Sequence, residues 1–177
     1  MAHTPSKPPA WPDAIYDVFK DLQVRQVCYV PDAGHTRLIG LCHADRAMRT
    51  VSLTTEEEGV ALLAGAWLGG DRGALLMQSS GVGNCVNMLS LHQECRMPLL
   101  MLVTMRGEWG EFNPWQLPMG QSTGPVLRDS GVIVNRVEAP AQVRDTVYAS
   151  AKLAFDSYRP VAVLIGQSVI GFKNWKR

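Results

Sequence analysis

"RTVSLTTEEEGVALLAGAWLGGDRGALLMQ", residues 49–78, holds two short β-rich runs, 49–54 and 73–78, on either side of a stretch with helical character over 55–69. The second run is continuously apolar, as strands buried on both faces of a parallel sheet are, so the segment reads as strand, helix, strand. Working outward, further β-rich runs lie at 26–30, 98–104, 132–137 and 161–166. Helical patterns cover 12–24, 36–48, 83–96 and 140–157, with a weaker one near 121–130. This alternation predicts an α/β fold: a doubly wound, six-stranded, mostly parallel sheet with helices on both faces. Ligands of such sheets gather at the carboxyl ends of the strands.

The 177 residues fit one domain. A flexible, Pro-rich N-terminus is expected over 1–12 and a single domain over 13–177. Apolar residues make up 46% and charged residues only 19%, lean in charge for a free-standing monomer, so another chain is expected to cover part of the surface. Seventeen basic against sixteen acidic residues, with no basic run, argue against nucleic-acid binding. The start has no signal-peptide order and no apolar run reaches the ~18 residues of a membrane span, so no membrane partner is expected. Cys28, Cys42, Cys85 and Cys95 lie in or beside apolar segments without C-x-x-C spacing, as buried, reduced thiols of a cytoplasmic protein do.

In "TTEEEG", Thr55 and Glu58 match a capping box, and Glu56 suits a first helical turn. Glu57 is stacked by helical spacing with Ala61, Ala64 and Leu68, which predicts a dry carboxyl group. A desolvated carboxyl group holds its proton more tightly and can donate it to a heterocyclic nitrogen. "QSSGVGNCVNML", 78–89, reads as strand, glycine turn and helix. It lacks the lysine of a phosphate loop and misses the G-x-G-x-x-G spacing, leaving a tight turn and a binding turn equally open.

Residues 106–124 show neither helical nor strand period and follow a predicted central strand, so a long loop is expected where ligands gather. Arg106, at its start, could fork onto a carboxylate, sulfonate or phosphonate, or pair with Glu108 or Glu111. Trp109 and Trp115 could form a wall, an interface lid or core. In the turn "PDAGH", Asp32 and His35 are candidates for substrate contact. A helix cap for Asp32 and a solvated helix start for His35 are the plainer readings. From fold alone, a nucleotide- or flavin-binding module or a non-catalytic relative competes with any enzyme.

Taken together, "YVPD" (29–32), "TTEEEGVALLAGAWLGG" (54–70), "MQSSGVGNCVN" (77–87) and "RGEWGEFNPWQLPMG" (106–120) resemble the pyrimidine-binding (PYR) domain of thiamine diphosphate-dependent enzymes. The likeness covers nearly the whole chain. It runs closest to the α-subunit type of sulfopyruvate decarboxylase and the N-terminal part of phosphonopyruvate decarboxylase. The resemblance implies a carbon–carbon lyase subunit that decarboxylates a small anionic 2-oxo acid, sulfopyruvate first and phosphonopyruvate as the alternative. It implies thiamine diphosphate as cofactor, with Glu57 bonding the N1′ nitrogen of the aminopyrimidine. Glu57, Ser80, Gly81, Val82, Gly83 and Asn84 would then contact the cofactor, and Asp32, His35 and Arg106 the substrate. The family's G-D-G metal motif is absent from the chain, and "GGDRG" (69–73) has the wrong order. No metal ligand is therefore assigned to the chain. Mg2+ and the diphosphate are expected on a β-type partner, in a hetero-oligomer of paired α and β chains. The family's second turn acid and histidine pair are also missing, which implies different proton handling.

Overall fold

Every residue of β4 (Leu99–Thr104) and β6 (Pro160–Ile165) is buried, which identifies these two runs as central strands. They sit in a six-stranded sheet with β1 (Val24–Tyr29), β2 (Arg49–Ser52), β3 (Arg72–Gln78) and β5 (Ile133–Val137), in the order β2-β1-β3-β4-β6-β5. All five pairings are parallel, with Leu102, for example, opposite both Leu76 and Val163. The computed structural model describes residues 10–171.

Helices cover both faces, as the alternation predicts. On one face α1 (Trp11–Asp21), α2 (Thr36–Ala44) and α7 (Val143–Ser157) bring Ile15, Phe19, Leu38, Val147 and Phe155 against Val27, Leu76, Leu102 and Val163. On the other, α3 (Glu56–Leu68), α4 (Ser79–Cys85), α5 (Leu89–Glu94) and α6 (Leu117–Asp129) pack Val60, Leu63, Val82, Leu89 and Leu127 against Leu75, Met77, Met101 and Leu164. Alternate residues of each strand feed the two clusters, the period-2 rule of a sheet buried on both sides. A short α8 (Gln167–Ile170) follows β6. Among the described residues, no helix is long and apolar enough to cross a membrane.

Three local expectations need correction. Helix α1 begins at Trp11, so 11 and 12 are helical: Pro12 stands in the first turn, where its fixed φ favours helix and its missing N–H costs nothing. Residues 1–9 lie outside the described residues. The helix expected over 83–96 starts earlier, at Ser79, and divides into α4 and α5, with Ser90 Oγ donating to the Asn87 carbonyl at the break (2.7 Å). The long loop is shorter than 106–124, because Pro114–Gln116 form a 3-10 turn and α6 starts at Leu117. Pro118, Gly120, Gly124 and Pro125 mask the period of α6, yet Pro118 stands in its first turn, where it is well placed.

Cys28, Cys42 and Cys85 are buried free thiols, each pushed up to about 12 by burial. Cys95 differs from expectation: it caps the end of α5 and is exposed.

Candidate active site at the carboxyl edge of the sheet

Helix α3 faces the sheet with Glu56, Gly59, Val60, Leu63 and Ala64, an i, i+3, i+4, i+7, i+8 stripe. The carboxylate expected to be dry therefore belongs to Glu56, at 8% exposure, while Glu57 is exposed. Of the stripe expected with Glu57, Ala61, Ala64 and Leu68, only Ala64 is buried. The packing follows the bulkier Val60 and Leu63 instead, with Gly59 letting the helix close on Leu75 and Leu53. Ala61 and Leu68, assigned to the buried side, are exposed. Glu58 lies outside and accepts from the Thr54 backbone N–H (2.9 Å) and hydroxyl (2.6 Å), so the capping partner is Thr54 and not Thr55. These bonds hold its carboxyl group below the ordinary range.

The Glu56 side chain reaches α4. Asn84 Nδ2 donates to Glu56 Oε2 (2.8 Å), and any Cβ at Gly81 would overlap the same carboxylate. The predicted glycine turn is thus the start of a helix whose glycine makes room for a side chain of this chain. Of the other residues in the motif, Ser80 is half-buried, Gly83 is exposed with Met119 beside it, and Val82 is wholly in the core. The Val82 side chain packs in the core, so any contact it makes to a ligand is through its backbone.

A second cluster lies beside this one. A cavity of about 200 Å³ is lined by Asp32, Gly34, Thr104, Arg106, Phe112 and Gln167, from the ends of β1, β4 and β6. Asp32 Oδ2 accepts from Thr104 Oγ1 (2.5 Å). Arg106 forks onto Glu111, with Nε and Nη2 each 2.7 Å from a carboxylate oxygen. Glu111 also accepts from the backbone N–H of Gly107 (3.2 Å) and Asn113 (3.0 Å) and from Gln167 Nε2 (3.0 Å). Led by the Arg106 bond, these donors hold its carboxyl group at about 2 despite burial. Of the two pairings weighed for Arg106, Glu111 is the real one, since Glu108 bonds Arg136 (2.7 Å). Only the Nη1 edge of Arg106 is left out of the fork, so the guanidinium reaches the cavity already neutralised. Ser79 joins the two clusters: its hydroxyl accepts from Arg106 N (3.1 Å) and its carbonyl from Thr123 Oγ1 (3.3 Å).

His35 does not line the cavity. It is fully buried under the turn, with Nε2 3.1 Å from the Leu102 carbonyl and Nδ1 without a hydrogen-bond partner among the described residues. Burial pushes its pKa below the ordinary 6.5 and keeps the imidazole neutral, so it is a floor of the site and not a substrate contact. Gln167, which no sequence motif singles out, is 2% exposed and holds the loop: Oε1 accepts from the backbone N–H of Glu108 (2.9 Å) and Trp109 (3.0 Å). Gly107, at φ +73° against the Gln116 backbone, lets the loop fold back. At its tip Trp115 is 85% exposed beside Pro114, Pro118 and Met119.

The fit to an aminopyrimidine rests on Glu56. Oε2 is held by Asn84, whereas Oε1 has no donor among the described residues and is not sealed from solvent, which suits a bond to a heterocyclic nitrogen. Among the described residues no group of three or more His, Cys, Asp or Glu could hold a metal ion.

A family model described as the thiamine pyrophosphate enzyme, N-terminal TPP binding domain, matches residues 11–113. Sulfopyruvate decarboxylase subunit alpha of Methanothermobacter thermautotrophicus is 36% identical over 157 residues, covering 88% of this chain and 95% of that one. Its counterpart in Methanocaldococcus jannaschii is 35% identical, covering 85% and 90%. Phosphonopyruvate decarboxylase of Streptomyces viridochromogenes is 42% identical over 108 residues, 60% of this chain but 27% of that one. Among solved structures, 2-oxoglutarate:ferredoxin oxidoreductase from Magnetococcus marinus superposes with a TM-score of 0.76 at 19% identity, over 92% of this chain and 29% of that one, a likeness of fold.

Proposed function

The chain belongs to the thiamine pyrophosphate enzymes, through their N-terminal TPP-binding domain, and we propose that it is the α-subunit of a decarboxylase acting on 3-sulfopyruvate, with Glu56 as the cofactor-activating acid. The observation that carries the reading is the Glu56 carboxyl group, buried at the start of α3 with one oxygen tethered to Asn84 and the other, against Gly81, without a donor among the described residues. The match to two sulfopyruvate decarboxylase α-subunits, over 85–88% of this chain, supports the substrate. Phosphonopyruvate is the second reading, on the shorter match to phosphonopyruvate decarboxylase.

Thiamine diphosphate, when bound, supplies a nucleophilic carbon and an electron sink. With that group bound, Glu56 would exchange a proton with the aminopyrimidine nitrogen through Oε1. The substrate lies in the neighbouring cavity, its C1–C2 bond breaks, carbon dioxide leaves and a proton takes its place on C2. Asp32, on the cavity wall, handles protons there, with Thr104 fixing the other oxygen. Arg106 offers its Nη1 edge to the anionic tail. Because Glu111 already balances its charge, further cationic groups come from the covering chain. That chain is a β-type subunit that brings Mg2+ and holds the diphosphate. The apolar groove between α3 and α5, with Leu68 exposed, and the Trp115 patch are the surfaces it would cover.

The test is a reconstitution with a candidate β-chain, thiamine diphosphate and magnesium, assayed on both acids. Glu56→Gln should lower turnover by roughly 10²–10⁴-fold, and Glu57→Gln should leave it near normal. The opposite ranking, or no turnover with either acid from any assembled complex, rejects the reading.

A further inference from the structure

We propose that Asn84 is a positioning residue for Glu56: a neutral tether that fixes one carboxylate oxygen so that the other faces outward toward the aminopyrimidine. The inference rests on the role assigned to Glu56 above.

Gly81 and Asn84 stand three residues apart on α4, a spacing that puts them on one face of the helix. That face meets Glu56 across 28 residues of sequence. Gly81 makes the room and Asn84 supplies the hold, so the two act as a socket for one carboxyl group. A glutamate side chain has three rotatable bonds, and nothing else among the described residues donates to this one. Oε1 is neither hydrogen-bonded nor among the sealed, unpaired polar atoms, so the tether at Oε2 decides where the reactive oxygen points.

The chemical type of the tether also matters. A lysine or arginine here would hold the carboxylate by charge and oppose its protonation. The amide N–H donates to a carboxylate or to the carbonyl oxygen of a neutral acid alike. Asn84 therefore keeps the geometry through both halves of a proton exchange. Asn84 is itself exposed, so the tether sits at the surface and not in the core, where a purely structural tie would be more effective.

The test uses the full chain and the assembled complex. In the chain alone, the Asn84 side-chain amide signals in nitrogen-15 NMR should move on Glu56→Ala. In the complex with partner, thiamine diphosphate and magnesium, Asn84→Leu should slow deuterium exchange at the thiazolium C2 position by about 10- to 100-fold. Cofactor binding should weaken, while thermal midpoint and partner affinity hold. Asn84→Asp, nearly the same shape, supplies a donor only when the carboxyl pair shares a proton, so its exchange rate relative to the unmodified chain should rise as pH falls from about 7 to 5. A wild-type exchange rate in Asn84→Leu, or a flat relative pH profile in Asn84→Asp, overturns the proposal and leaves Asn84 a tie of the fold. If Glu56→Gln exchanges as fast as the unmodified chain, the role of Glu56 itself fails, which is a separate result.

Discussion

Glu56 and Gly81 occupy one space: the carboxylate of the first lies where a side chain of the second would begin. Two segments that are 25 residues apart in sequence are therefore fixed to each other by the absence of an atom. Gly81→Ala should force the carboxyl group out of its socket, costing about 1–3 kcal/mol of stability by overpacking. It should also lower cofactor affinity. Chemical denaturation and calorimetric titration read both, and a variant that keeps stability and affinity would show that the carboxylate has another place to go.

Acid should weaken the fold in two separate windows. His35 is neutral in the folded chain, with its pKa below the ordinary 6.5, so only the unfolded chain takes up that proton as pH falls through about 6.5. Stability should drop there by up to ~1.4 kcal/mol per pH unit. His35→Gln should flatten this window. Glu111 has the opposite charge type: its folded value near 2 lies below the ordinary 4.5, so its contribution is complete above 4.5 and is lost as pH falls from there through about 2. Urea titrations at stepped pH resolve the two, and a fold equally stable at pH 7 and pH 5 would contradict the assignment of His35.

Gln167→Leu should free the loop that carries Arg106. The side chain makes three hydrogen bonds, to Glu108 N, Trp109 N and Glu111 Oε2. Leaving these groups without partners should cost about 1–3 kcal/mol. Amide exchange at Glu108 and Trp109 should quicken and the apparent Michaelis constant for the acid should rise more than turnover falls. Unchanged protection at both amides would mean that the loop holds itself.

Trp115→Ser should leave the isolated chain within about 0.5 kcal/mol of its stability, because the side chain packs on little of its own fold. Partner affinity should fall at least tenfold, as truncation of a central tryptophan anchor does. Equal affinity, measured by titration of the β-type chain, would place the interface elsewhere.

Strands β3, β4 and β6 were legible as continuous apolar runs, and the edge strands β2 and β5 by their β-branched residues and their place in the alternation; six such segments leave few architectures. The glutamate motif was legible as a motif but not to the residue. Three adjacent glutamates differ by 100° steps around a helix, and choosing among them requires knowing that Val60 and Leu63, and not Ala61 and Leu68, meet the sheet. The signal was present in the bulk of those side chains. The position of Asp32 and Arg106 after strands led to the carboxyl edge of the sheet, where both line the cavity. Arg106's engagement by Glu111 was one of the alternatives weighed and needed coordinates to decide. Burial of His35 was hidden because a turn residue reads as solvated until the turn is seen folded over the sheet. Gln167 had no local signal, since its partners lie 56 to 59 residues away.

The bond from Thr104 to Asp32 passes over the end of β3, because β3 lies between β1 and β4 in the sheet. It works as a staple: β1 and β4 cannot splay at this rim without breaking it, and the chain leaving β3 runs beneath a roof. Whatever adjustment occurs at this edge must then come from parts outside the staple, such as the helix-borne socket, while the cavity wall that carries Asp32 and Thr104 behaves as an anvil.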